Sequence, residues 1–197
     1  LDHMAAIWPE SLGTHAREWL TENLQKGTLK QAKFSLKGHG EDKGFLIDDL
    51  QGTFHGEGAK VIYLEGLPPA ENVSVSGTFD KKSFDIKLLS GSVEHIKVQD
   101  GRVKILDLDT DNEKLSLELR AKGPLPDILD VINHKPLEYA SLAGVDPKKT
   151  KGEGEVALKV NFPLLVDLQF KAVKMQAKGG FTKVELERKV ADNLVAH

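Results

Sequence analysis

The spacing of hydrophobic positions changes near Gly27, and that change divides the chain. Before it, Trp8, Leu12, Ala16, Trp19, Leu20 and Leu24 recur at three- and four-residue steps. They form one apolar stripe and predict a helix over 9–25. Pro9 suits the first helical turn, where its missing N–H costs nothing, and Gly27 suits the stop. Trp8 and Trp19 both lie on this stripe. The expectation is that they plug one end of a core; a contact with a partner or a membrane surface is the alternative.

Beyond Gly27 the period is two. Ala32, Phe34 and Leu36 alternate with polar residues, as do Val73, Val75, Gly77 and Phe79, then Phe84, Ile86 and Leu88. Leu115, Leu117, Leu119 and Ala121 follow, and later Val156, Leu158, Val160 and Phe162. Such alternation predicts strands with one apolar and one polar face. Asp100-Gly101, between Ile96-x-Val98 and Val103-x-Ile105, predicts a tight hairpin turn. Phe79 to Phe84 predicts a second hairpin with a slightly longer loop. Gly52-Thr53-Phe54 and Gly77-Thr78-Phe79 repeat 25 positions apart, with a looser echo at Gly179-Gly180-Phe181-Thr182. Together these predict an antiparallel β-meander over 28–121.

A helical insertion over 124–143 interrupts the strands. Pro124 and Pro126 bracket its start, and Ile128, Leu129, Val131 and Ile132 supply an apolar face. Pro136 is expected to open a second short helix that Gly144 ends. Asp146 to Gly152 reads as an exposed basic loop, and closing strands occupy 153–187. The tail from Glu185 reads as helical or frayed.

Composition narrows the function classes. A chain of 197 residues fits one large domain or two small ones, and needs no covalent staples. It has no cysteine, so disulfides and thiolate metal sites are excluded. Lys plus Arg total 27 against 30 Asp plus Glu, and this balance argues against nucleic acid as a partner. Aromatics at 6% argue against base-stacking platforms. No apolar run approaches the ~20 residues of a membrane span, and no signal peptide opens the chain. Leu1-Asp2-His3-Met4 reads as an expression-tag remnant, leaving 5–197 as one segment of a longer protein.

Catalytic chemistry finds little support. None of the scattered histidines His15, His39, His55, His95 and His134 forms the i, i+4 pair of a helical zinc site. Gly38-His39-Gly40 and Gly152-Glu153-Gly154 lack phosphate-loop spacing and read as hairpin loops. Asp107, Asp109 and Asp111 alternate, but a solvated turn outweighs a calcium site there. Asn72-Val73-Ser74 fits a glycosylation acceptor, a triplet common by chance, and no Gly-x-Ser-x-Gly elbow occurs. No catalytic residue, metal ligand or cofactor is expected.

Several phrases carry a family resemblance. They are Ile7-Trp8-Pro9-Glu10 with Ala16-Arg17-x-Trp19-Leu20-x-Glu22-Asn23-Leu24-x-x-Gly27, and Val61-x-Tyr63-Leu64-x-Gly66-Leu67-Pro68-Pro69. Gly123-Pro124-Leu125-Pro126-Asp127, His134 to Ala140 and Phe162-Pro163-Leu164-Leu165 complete the set. In this order they resemble the central region of the AsmA-like family, the YhdP and TamB group of the Gram-negative envelope, from Ile7 to about Val184. The resemblance implies a mainly β, α+β fold: a strongly curved antiparallel meander sheet with an N-terminal helix and a helical insertion near 125–143. It implies a periplasmic protein anchored in the inner membrane, carrying phospholipid along an apolar β-groove towards the outer membrane. Phospholipid or another acyl lipid is then the expected partner, with other envelope proteins possible and no nucleic acid. The alternatives are a structural or assembly module of the envelope that binds no lipid, and an enzyme with a non-obvious site. If the apolar faces form the groove, Val75, Phe79, Ile86, Leu88, Val103, Ile105, Leu117, Leu119, Leu158 and Val160 line it.

Overall fold

The computed structural model describes residues 13–42, 44–165 and 170–186. Helix α1 (Thr14–Asn23) leads into a nine-stranded antiparallel sheet that is open and curled. Its strands are β1 (Leu24–Gln25), β2 (Thr28–Glu41), β3 (Gly44–Val61), β4 (Ala70–Asp80), β5 (Ser83–Val93), β6 (Ile96–Leu106), β7 (Lys114–Pro124), β8 (Thr150–Pro163) and β9 (Lys174–Leu186). From β3 onwards each strand pairs with the next, and β1 and β2 both pair with β3. Between β7 and β8 lie the short helices α2 (Leu125–Val131) and α3 (Tyr139–Leu142). The meander, the N-terminal helix and the helical insertion are present as expected, but the helix ends at Asn23 and not at 25, because Leu24 and Gln25 pair with β3, and its expected start at 9 lies outside the described residues.

The repeated phrase has a mechanical meaning. Its two copies pair with each other: Gly52 opposes Phe79, Thr53 opposes Thr78, and Phe54 opposes Gly77. Each phenylalanine ring therefore lies over a glycine of the neighbouring strand. A Cβ on Gly52 would come within 2.4 Å of the Phe79 ring, and one on Gly77 within 2.8 Å of the Phe54 ring. The looser echo repeats the device, with Phe181 opposite Gly154. Large side chains folded onto glycine floors let one face of the sheet close up.

Bulges do the complementary work. In β6, Val103 and Ile105 share a face with Leu117 and Leu115, and a register shift follows between Val98 and Asp100. Val98 then opposes Ala121, on the same face again. Related shifts interrupt β2–β3, β3–β4 and β4–β5. An extra residue inverts the alternation, so the apolar side chains stay on one face across the irregularity. This overturns the hairpin expected at Asp100-Gly101. That pair lies inside β6, and the change of apolar parity marks a bulge, not a turn. Gly101 is a packing glycine whose Cβ would meet Leu88 at 2.6 Å.

Three other expectations fail for similar reasons. Gly38-His39-Gly40 belongs to β2, where a Cβ on Gly38 would strike the Phe45 ring at 2.5 Å. Gly152-Glu153-Gly154 belongs to β8, with Ile128 of α2 seated over Gly154. The second insertion helix starts at Tyr139 and not at Pro136, because Glu138 adopts a left-handed φ of 50°. The tail beyond Leu186 lies outside the described residues. By contrast, the hairpin expected between Phe79 and Phe84 is present, its turn held by Asp80 Oδ1 accepting from Lys82 N and Ser83 N.

The best-closed core lies under α1, where Ala16, Ile105, Leu108, Leu115 and Leu164 are buried together. Gly13 precedes the helix and has no side chain to cap it. Glu113 takes that part from the far end of the sequence. Its side chain, 2% exposed, accepts from His15 N at 3.2 Å and Ala16 N at 2.7 Å. A buried carboxylate on two orphan helix donors is a strong anchor, because removing it strands both N–H groups.

Two predictions follow from this packing. Glu113→Ala should destabilise the protein by about 1–3 kcal/mol in urea titrations, and Glu113→Gln by less, since one acceptor survives. Gly52→Ala should cost about 1–3 kcal/mol because the Phe79 ring must move. Gly40→Ala is its control and should be near neutral, since nothing lies within 4 Å of a Cβ there.

Candidate functional site

Strand register decides which side chains share a face. One row runs Ala32, Phe54, Gly77, Ile86, Val103, Leu117, Val160, Met175, one residue from each of β2 to β9. A second row runs Leu29, Gly56, Val75, Leu88, Gly101, Leu119, Leu158, Ala177. A third runs Phe34, Gly52, Phe79, Phe84, Ile105, Leu115, Phe162. No polar side chain interrupts any of them. All ten residues named from the alternation fall in these three rows, on one face.

Their surroundings differ along the strands. Ile105 is 2% exposed and belongs to the closed core under α1; Trp19 packs against that core from the helix. Trp8 lies outside the described residues. At the other end of β7 and β8, α2 covers the same face with Leu125 and Ile128. The other nine residues are half-buried, Val103 and Leu117 packing against the core under α1. Phe54, Phe79 and Phe84 form a cluster there, with ring centroids 5.5 to 6.4 Å apart.

The result is a lane running across the strands. Leu115 under α1 and Gly123 near α2 are eight residues apart on β7, or about 27 Å. Eight strands at ~4.8 Å spacing give the lane a length of about 34 Å. Among the described residues, exposed side chains stand at both of its ends: Phe34 on β2 is 73% exposed and Met175 on β9 is 41% exposed.

The opposite face was not read from the sequence, and it is a ladder of charge. Arg102 donates from Nε to Asp85 at 2.6 Å, Arg120 donates from Nε to Asp100 at 3.0 Å, and Lys159 pairs with Glu118. Each pair crosses between neighbouring strands. The guanidinium of Arg102 holds the Asp85 carboxyl below its ordinary value, Arg120 does the same for Asp100, and Lys159 for Glu118. A recess of about 1090 Å³ is sunk into this polar face. The readable signal was the charge at alternate polar positions, as in Asp85-x-Lys87, Asp100-x-Arg102-x-Lys104 and Glu118-x-Arg120.

The remaining candidates have local roles. Asp107 pairs with Lys114 at 2.7 Å and Asp109 with Lys82 at 3.7 Å, so lysines serve two of the three alternating aspartates. His39 is hydrogen-bonded to Asp48, and His95 to Asp127 of α2, which ties the β5–β6 turn to the insertion. Among the described residues no group of three or more histidine and carboxylate side chains is placed to hold a metal. None of the described helices is long and apolar enough to cross a membrane.

Two of the phrases that carried the resemblance also meet in space. The Val61–Pro69 loop packs on the insertion, where a Cβ on Gly66 would lie 2.8 Å from the Lys135 carbonyl oxygen. The sequence profile described as YhdP protein matches residues 1–183. The chain belongs to the YhdP family. The YhdP family is a cell-envelope family associated with lipid transport. No curated protein and no solved structure matches the chain. Within the YhdP frame, the lane and the charged ladder are two faces of one sheet with different chemistry.

The ladder makes a pH prediction. Carboxyl groups lowered in the folded state stabilise it above their ordinary pKa, and that contribution is lost as pH falls through the lowered folded value. Carbon-detected NMR titration should place Asp85 and Asp100 below 3.8, their ordinary value. Arg120→Gln should return Asp100 towards that value and leave Asp85 unmoved.

Proposed function

We propose that this segment carries acyl lipid, phospholipid foremost, on the apolar lane. The observation that supports the reading is the continuity of the apolar rows from β2 to β9, with nine of the ten named residues only half-buried. An ordinary sandwich would lay a second sheet there. Each methylene removed from water contributes about 0.8 kcal/mol, so many weak contacts along the lane give affinity without a closed pocket. Neighbouring positions are nearly equivalent in energy, which lets a chain slide. The lane is also longer than the ~15 Å that one leaflet of a bilayer core occupies.

In the longer protein this segment would be one section of a conduit. It would stand in the periplasm, held by an inner-membrane anchor, with lipid passing towards the outer membrane. Among the described residues β2 and β9 are edge strands, and their apolar residues would continue the lane onto adjoining strands. The role is transport and not catalysis.

Native mass spectrometry of purified protein, followed by titration with a fluorescent acyl probe, tests this. Co-purified lipid and saturable probe binding are expected. Replacing Leu119 and Leu158 together by glutamine should weaken probe binding about tenfold or more. Lys104→Gln, on the polar face, should leave it unchanged. A folded protein that neither retains lipid nor takes up the probe would sink the proposal.

A further inference from the structure

Most residues lining the recess on the polar face are polar or charged, with Phe54, Leu119 and Leu158 of the apolar rows also reaching it. It extends across the sheet from Gln31 on β2 to Lys178 on β9. Five cationic side chains line it, Lys87, Arg102, Arg120, Lys159 and Lys178, against three carboxylates, Asp85, Asp100 and Glu118. The whole chain carries a formal charge of -3. An acidic chain has thus gathered an excess of positive charge into a concavity. A concavity of one dominant sign focuses the field and steers partners of the opposite sign.

The cations are also positioned in advance. Arg102, Arg120 and Lys159 are held by cross-strand carboxylates, so little side-chain freedom remains to be lost on binding. Lys87 and Lys178 have no acidic partner among the described residues and are exposed. Ser76, Thr78 and Gln176 add neutral hydrogen-bonding groups.

These features discriminate among anionic partners. Phe79 and Phe84 lie on the apolar face, and among the described residues Phe54 and His55 are the aromatic residues of β3 to β5 that reach the recess, too few for a stacking platform along sugar rings or bases. A flat bilayer meets the rims of a concavity before its floor. A peptide segment can enter, and carboxylates at its successive turns can meet cations that neighbouring strands space about 4.8 Å apart. We propose that the polar face of the sheet is a docking trough for an acidic segment of a partner protein. Its charged side chains lie on the face opposite the apolar rows, so it is tested separately from lipid carriage.

Fluorescence anisotropy with a labelled poly-glutamate peptide tests it, using the whole chain. Saturable binding is expected, weakening at least tenfold when salt rises from about 50 to about 300 mM. The double reversal Lys87→Glu with Lys178→Glu should weaken it about tenfold at low salt, while Val75→Gln, on the apolar face and outside the recess lining, should bind as the parent does. Circular dichroism checks the reversal variant for folding; if it is unfolded, Lys87→Gln with Lys178→Gln is read instead, with a smaller loss. Absence of saturable peptide binding, or unchanged binding by the folded variant, would overturn the proposal. So would equal or tighter binding of oligogalacturonate or of phosphatidylglycerol vesicles, which would assign the trough to a glycan or to a membrane surface.

Discussion

A single open sheet has to keep one face apolar with no second layer over most of it, and the rest of the molecule answers to that constraint. Apolar side chains on an uncovered face are stabilised only by what they can bury against one another. The reciprocal pairs Phe54 on Gly77 and Phe79 on Gly52 meet this need. Each ring shields a neighbour's backbone, and each glycine lets the ring come down. The two helices close what the sheet cannot. Helix α1 seals the end around Ile105 and Leu115, and α2 seals the end around Gly154. What remains between them is half-buried, which is the state a surface needs if it is to be folded without lipid and still gain by binding it.

The same constraint explains which features were legible in the sequence. Alternation at Leu115 to Ala121 and at Val156 to Phe162 names β7 and β8 correctly, because those strands keep one parity throughout. Strand β6 does not. Its apolar residues are even-numbered before Gln99 and odd-numbered after Asp100, and a one-residue slip reads on paper like a turn. Asp100-Gly101 reinforced that reading although its members act separately, Asp100 on Arg120 and Gly101 beneath Leu88. A bulge is set by the neighbouring strands' register, which no local window contains. Glu113 is a harder case. Its place on the amides of His15 and Ala16 spans 98 residues for the first contact, and nothing near it in the sequence marks a capping residue.

The candidate lane was legible for the reason that β7 was, since all ten named residues share its face. Its limits were not. Ile105 has the same pattern as Val103, yet it lies in closed core because α1 happens to end above it. The charged face was overlooked because polar positions in strands read as solvated by default. The alternation of acid and base at those positions reflects cross-strand partners. Exposed pairs of this kind contribute little to stability individually. Their larger effect is on register. Asp85 can reach Arg102, and Asp100 can reach Arg120, only when the strands are correctly aligned, and a one-residue slip would also turn the apolar rows to water.

The two faces therefore support one another in register while differing in chemistry. Apolar rows and ion pairs favour the same register, so loss of either loosens the alignment on which the other depends. Chemically they are kept apart by the thickness of one backbone layer. An acyl chain gains nothing on the charged face, where it would strip water from ions. An acidic segment gains nothing on the lane, which offers its carboxylates no partner. A sheet covered on both sides could be equally stable, but it would present neither surface. Leaving both open lets one protein section hold a slippery apolar strip on one side and an electrostatically selective one on the other.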